Sequence, residues 1–377
     1  MLPVLSNAGL AATAGGIIGL SCQGNSTAEL NGVTINSQRK EDQFTGTGIL
    51  SWKPIDDLLV YASFSRGYKA GGFNLDRSAL KLPTFSFASQ GGAQALVGAL
   101  QFAPETVNSF EIGAKYGTGP FSLSVAAFRQ DFKNFQLNTF NGTVFLVQNI
   151  NGCDSSLAGG DRDQSKFTAA TNYSAAAGTT GACPSGDVGY GVRAQGVELE
   201  ASLIPVRDFR VTLGATFTDT GYRDQLVGNS SGAPLDQALR KLPGQTLSNS
   251  ADIVTTASMA FTPPIGDSGL SALFYVDTRM TSDYNTGSDL FPQKAQDGFA
   301  LVNARVGLRG KDERWAIEFW GQNVFNQQYA QVAFNSPFQE GAATAAFQDP
   351  QFPGGRQLFS QFLAEPRTYG VTVRGRF

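Results

Sequence analysis

The sequence predicts an all-β protein, an antiparallel barrel whose outer wall faces lipid. Three observations predict it. Apolar and polar residues alternate with period two over about eleven segments. The connections between those segments alternate between short and long. The 377-residue chain is rich in glycine (44) and phenylalanine (29), yet only 16% of it is charged, against roughly 25% in an ordinary soluble domain.

The strands follow in order. The first two fall near 44–53 and 57–69. In the third, Phe110, Ile112, Ala114 and Tyr116 alternate with Ser109, Glu111, Gly113 and Lys115. A fourth lies near 120–132. Val197, Leu199, Ala201 and Leu203 alternate with Gly196, Glu198, Glu200 and Ser202 in the fifth. Phe209, Val211, Leu213, Ala215 and Phe217 alternate with Arg210, Thr212, Gly214, Thr216 and Thr218 in the sixth. Segments near 250–261, 269–280, 298–309, 314–325 and 367–377 complete the set. The apolar face suits acyl chains, with aromatics near strand ends, and the opposite face suits a wet lumen.

A soluble sandwich also alternates, so the connections decide. Short ones occupy 53–57, 117–120, 205–208, 262–268 and 309–314. Long ones run over about 70–104, 133–192, 222–248, 281–297 and 328–365. Tight turns at one end and long loops at the other are the pattern of outer-membrane barrels. Soluble domains seldom carry five structureless loops of that length. Loop lengths vary too much for a solenoid or propeller.

Composition excludes several functions. With 41% hydrophobic and 11% aromatic residues the chain is not disordered. A net charge of −3 leaves no basic surface for a phosphate backbone, so nucleic acid is excluded as a partner. The absence of histidine removes histidine triads, histidine-ligated zinc or haem, and an imidazole base. No Lys or Arg precedes Arg39, so the basic start of a secretory signal is missing. The apolar run at 9–20 (GLAATAGGIIGL) is too short and glycine-rich for a spanning helix of about 20 residues. The expectation is a chain without a helical span or an export signal of its own, whose natural start has been cut away if it lives in an outer membrane.

Five ordered segments carry a resemblance. LVYASFSRGYKAGGFN at 59–74, PETVNSFEIG at 104–113, GVELE at 196–200, NVFNQQY at 323–329 and PRTYGVTVRGRF at 366–377 resemble barrel strands of TonB-dependent outer-membrane receptors. The resemblance implies a partial barrel: about 10–12 strands of a 22-stranded wall that in complete members surrounds an N-terminal plug. Residues 1–42 then form the remnant of an extracellular loop entering the first strand, and 43–377 the C-terminal half of the barrel, with the plug absent. It further implies the outer membrane of a Gram-negative bacterium and contact with outer-membrane lipid. Implied partners are a ferric siderophore or similar scarce ligand, the TonB complex acting through the missing plug, and the barrel-assembly machinery. That machinery would read the terminal strand at Tyr369, Val371, Val373 and Phe377, with Gly375 departing from the usual apolar residue. A small self-contained passive channel and a surface barrel without transport are the rival readings. Eleven strands cannot close with the curvature of twenty-two, so either an open curled sheet or a narrower barrel is expected.

Candidate sites are few. Cys153 and Cys183 share one long loop and form the candidate disulfide; two unpaired thiols, or Cys22 pairing with one of them, are the alternatives. Glu111, Lys115, Glu198, Glu200, Arg210, Asp277, Arg279, Asn303, Arg305 and Glu318 fall on the polar face by alternation. They either meet a plug or passing ligand, or form a solvated wall with weak cross-strand ion pairs. Arg66, Tyr68 and Lys69 sit where a strand leaves the membrane outward, to meet an anionic ligand or to anchor at the interface. Gly71-Gly72 lacks a phosphate-loop context, and the DRDQ run at 161–164 lacks the glycine and distal glutamate of a calcium loop. No nucleophile or carboxylate pair has a suitable partner. The sequence predicts no catalytic site, no metal site and no cofactor.

Overall fold

The structure, a computed structural model, describes residues 37–74, 100–140, 145–157, 181–235, 239, 242–336 and 359–376. Cys22, the DRDQ run, Phe377 and most of the expected N-terminal loop remnant lie outside the described residues.

Eleven long strands form one antiparallel sheet in chain order. They are β1 (Gly46–Ile55), β2 (Leu58–Lys69), β3 (Glu105–Gly117), β4 (Phe121–Lys133), β5 (Val192–Val206) and β6 (Phe209–Tyr222). The rest are β7 (Ile253–Phe261), β8 (Leu270–Thr281), β9 (Phe299–Arg309), β10 (Trp315–Gln322) and β11 (Thr368–Gly375). A two-residue strand, Pro264–Ile265, pairs with the start of β8. Among the described residues β1 pairs only with β2 and β11 only with β10. The sheet is open, a partial barrel with two free edges.

Register fixes the faces, because a slip of one residue would invert every side chain. Phe64 stands opposite Phe110, their rings 5.0 Å apart. The same parity runs across the sheet to Phe209, Phe261 and Phe274, whose rings also pack in sequence. Among the described residues no second layer covers this face: Leu213 is 50%, Val306 49% and Phe319 56% exposed. A soluble domain seldom leaves so much contiguous apolar surface uncovered. In β6 the apolar ladder runs from Phe209 to Phe217. At ~3.3 Å per residue and a tilt of ~40° that spans about 20 Å, close to the ~25 Å band of a membrane barrel.

β5 and β6 extend further outward than alternation indicates, to Val192 and Tyr222. There Arg193, Gln195 and Asp219 occupy the outward face while Val192 and Tyr222 turn into a buried apolar cluster, so the greasy side changes over and one period-two pattern no longer runs the length of the strands.

The long connections are not structureless. Phe135–Phe140 and Phe145–Cys153 form a hairpin after β4, and Leu226–Val227 adds to its far strand. Leu137, Ile150, Val192, Tyr222, Leu226, Leu235, Leu239 and Leu242 pack into one buried cluster. Phe135 sets its ring edge-on against Phe132 and Tyr222. Loop amides complete the body: Asn149 donates to the carbonyls of Ala103 and Asn134, and Asn74 donates to that of Val147. Two loops, after β4 and after β6, thus share a core at one end of the sheet.

Cys153 and Cys183 are bonded, 30 positions apart in sequence and both buried. Closing a loop of that size restricts the unfolded chain by roughly 3–4 kcal/mol on the chain-entropy model. Replacing both by serine is expected to weaken this body by that order while leaving the sheet intact. Proteolysis confined to the loop after β4 would check it, and equal resistance of both forms would contradict it.

Candidate lumen site

All ten predicted polar-face residues lie on one face of the sheet by register. They fall into two groups with different electrostatics.

The first group lies on β2 to β7. Tyr61, Glu111, Lys115, Ser124, Glu198, Glu200, Thr212, Thr216 and Thr256 line a cavity of about 440 Å³. A cavity shared by six strands requires the polar face to be concave. The Tyr61 hydroxyl donates to the Glu111 carboxylate at 2.6 Å. Gly113 makes this possible, because a Cβ there would fall 2.5 Å from the Tyr61 oxygen. Glu111, Glu198 and Glu200 make no ion pair among the described residues, and Lys115 is the one cation in the lining. The wall therefore presents excess negative charge to the lumen side.

The second group lies on β8 to β10. Asn303 donates to Asp277 at 2.8 Å. Arg305 and Arg309 reach Glu318 at 3.2 and 3.3 Å. Glu318 is not solvated, since its side chain is only 1% exposed. Gly307 stands opposite it, and a Cβ there would come within 2.9 Å of the Glu318 side chain. Arg210 and Arg279 belong to the same face, opposite Ala260 and Thr256. Here two arginines neutralise Glu318, whereas the first half leaves three carboxylates without an ion pair among the described residues, Glu111 accepting only the neutral Tyr61 hydroxyl.

The strand-end residues divide. Arg66 and Tyr68 are exposed on the apolar face, level with Asn108 and Thr106. Lys69 has the polar-face parity, opposite Glu105. The three residues do not converge on one point. At the other edge Tyr369, Val371 and Val373 are exposed outward on β11. Gly375 lies opposite Trp315.

Tyr61 and Arg309 were absent from the residues singled out by sequence. Tyr61 sits two places from Ser63 in a strand and so shares its polar face; that parity is the signal that could have found it. Arg309 closes its strand, where a cation reads as a turn residue.

The sequence matches the family described as TonB dependent receptor-like, beta-barrel, over residues 21–324. The fold resembles the ferric yersiniabactin uptake receptor FyuA from Yersinia pestis, with TM-score 0.54 and 15% identity over 88% of this chain and 37% of that one. It also resembles the siderophore receptor PiuA from Acinetobacter baumannii, with TM-score 0.51 and 13% identity over 87% of this chain and 35% of that one. The chain thus spans little more than a third of these relatives. Its family is one of outer-membrane receptors and transporters, not of enzymes. With eleven antiparallel strands, an apolar outer face and a polar concave one, the chain belongs to the TonB-dependent receptor family and forms part of its β-barrel.

Proposed function

We propose that this chain supplies wall and outer loops to an outer-membrane receptor that takes up a scarce ligand of the ferric-siderophore class. The observation that carries this reading is the concave acidic wall of Glu111, Glu198 and Glu200 beneath a body of ordered loops. Three carboxylates left without cations inside a wall suit a basic partner surface, which a plug domain would present. The loops would capture the ligand, and the TonB complex would act through the plug. The names of the two relatives, an uptake receptor for ferric yersiniabactin and a siderophore receptor, support the ligand class. The exposed row Tyr369, Val371 and Val373 on β11, with the terminal Phe377 of the sequence, would serve the barrel-assembly machinery by edge pairing.

The test compares the chain alone with the full receptor that contains it, using radio-iron loaded on a siderophore. Full receptor in outer membranes is expected to accumulate iron only while a proton gradient is maintained. The chain alone in liposomes is expected to give neither accumulation nor stable conductance. A steady open pore formed by the chain alone in planar bilayers would favour a passive channel and overturn the proposal.

A further inference from the structure

The apolar ladders of β2 to β6 end abruptly at their outer ends. On the outward face Phe64 is followed by Arg66, Phe110 is preceded by Asn108, and Ala127 gives way to Arg129. Val197 likewise gives way to Gln195 and then Arg193, and Phe217 to Asp219. The breaks lie in the same row or one row apart across five strands. A polar belt therefore begins where the acyl-chain region stops, on the side of the long loops. Groups at that depth meet the headgroups of the outer leaflet.

The belt is built, not a scatter of surface charges. Asp131 accepts from Arg193 at 2.7 Å and from Arg129 at 3.1 Å, fixing both guanidiniums on one carboxylate. Arg193 also lies over the Tyr190 ring at 4.4 Å, and Arg223 lies over the same ring at 4.7 Å. Gln195 donates to Asp219 at 2.9 Å, engaging the second acid with an amide. Arg66 makes no ion pair among the described residues and stands in the same row as Asp131, with Asn108 between them. Arg223 is paired with Asp154 at 2.8 Å, which leaves three guanidiniums, Arg66, Arg129 and Arg193, facing two carboxylates. Arg129 keeps a side chain 48% exposed.

Three arginines held on an outward wall at headgroup depth have an excess of forked donors and of positive charge. Phosphate is the group that matches both. We propose that Arg66, Arg129 and Arg193 dock the phosphate groups of outer-leaflet lipids against the outside of the wall. Adjacent strands are ~4.8 Å apart, so the row from Arg66 to Arg193 covers about 14 Å. That width exceeds one phosphate and leaves room for two side by side. The proposal rests on the outer face meeting acyl chains and is independent of what the lumen carries.

The test is native mass spectrometry of the full chain, folded in dodecyl maltoside micelles doped equally with phosphatidic acid and phosphatidylcholine. Phosphatidic acid is expected to be retained about tenfold better, given the attraction of a basic side chain for an anionic lipid surface. The double variant R66Q/R129Q is expected to bring the two lipids within about twofold, whereas Lys53→Gln near the opposite end of the wall, in the last residues of β1, leaves the preference in place. Equal retention by the unaltered chain, or an unchanged preference in the double variant, overturns the proposal. Loss of the preference in about 50 mM inorganic phosphate also overturns it, because the patch then takes the free anion instead of the lipid. Heat-dependent gel mobility verifies folding. If the double variant does not fold, Arg66→Gln alone breaks no ion pair among the described residues; it is expected to lower the preference about fivefold, and no change would sink the idea.

Discussion

Replacing Lys294 by methionine is expected to open the segment between β8 and β9. Lys294 Nζ meets Asp289 Oδ2 at 2.6 Å, and the two side chains are 3% and 4% exposed. The ammonium also lies near the rings of Phe291 and Phe359, at 5.4 and 5.5 Å. Around the pair the Thr286 hydroxyl donates to the Lys294 carbonyl, and Asn285 donates to the Phe291 carbonyl. Removing the cation strands a buried carboxylate, which costs about 3–5 kcal/mol. Amide hydrogen exchange over 284–296 should then accelerate by roughly a hundredfold or more. The paired variant K294M/D289L removes both charges and is expected to recover most of the protection, since an apolar pair often replaces a buried ion pair without loss. Unchanged exchange in K294M would mean that the carboxylate is not desolvated.

The second large effect is expected at Glu318. In R305Q/R309Q the carboxylate keeps its place between β9 and β11 but loses both guanidiniums. At 1% exposure it has no route to water without moving β10. A loss of about 3 kcal/mol in unfolding stability follows, read as a lower urea midpoint in detergent. Glu318→Gln should be milder, about 1 kcal/mol, because the amide oxygen still accepts from one arginine, and the two guanidiniums, 40% and 24% exposed, can turn to water. The order of the two variants carries the argument. If E318Q were the worse, repulsion between the arginines would dominate and the buried-carboxylate account would fail.

The strands were legible because their signal is local. Phe209 to Phe217 announces a half-polar strand from spacing alone, and the register then follows from which side is greasy. The concave site was legible in outline for the same reason, since Glu111, Glu198 and Glu200 sit at polar positions of strongly alternating segments. Burial of Glu318 was not, because it depends on Gly307 across the ladder and on Arg309 from a strand end. The loop body was hidden more completely. Its core draws Leu137, Ile150, Leu226 and Leu239 from segments of a few residues each, too short to show any period. Two residues such as Leu226–Val227 form a strand only because the hairpin before them offers an edge.

The two unpaired rims have one more consequence, a matter of parity. Every neighbouring pair in the path is antiparallel and the path counts eleven, so β1 and β11 point the same way. Bringing them together would create a parallel seam, whether within one molecule or between two copies side by side in a membrane. A ring that keeps all neighbours opposed therefore needs an odd number of additional strands between these rims, which makes the total even, as in single-chain bacterial outer-membrane barrels.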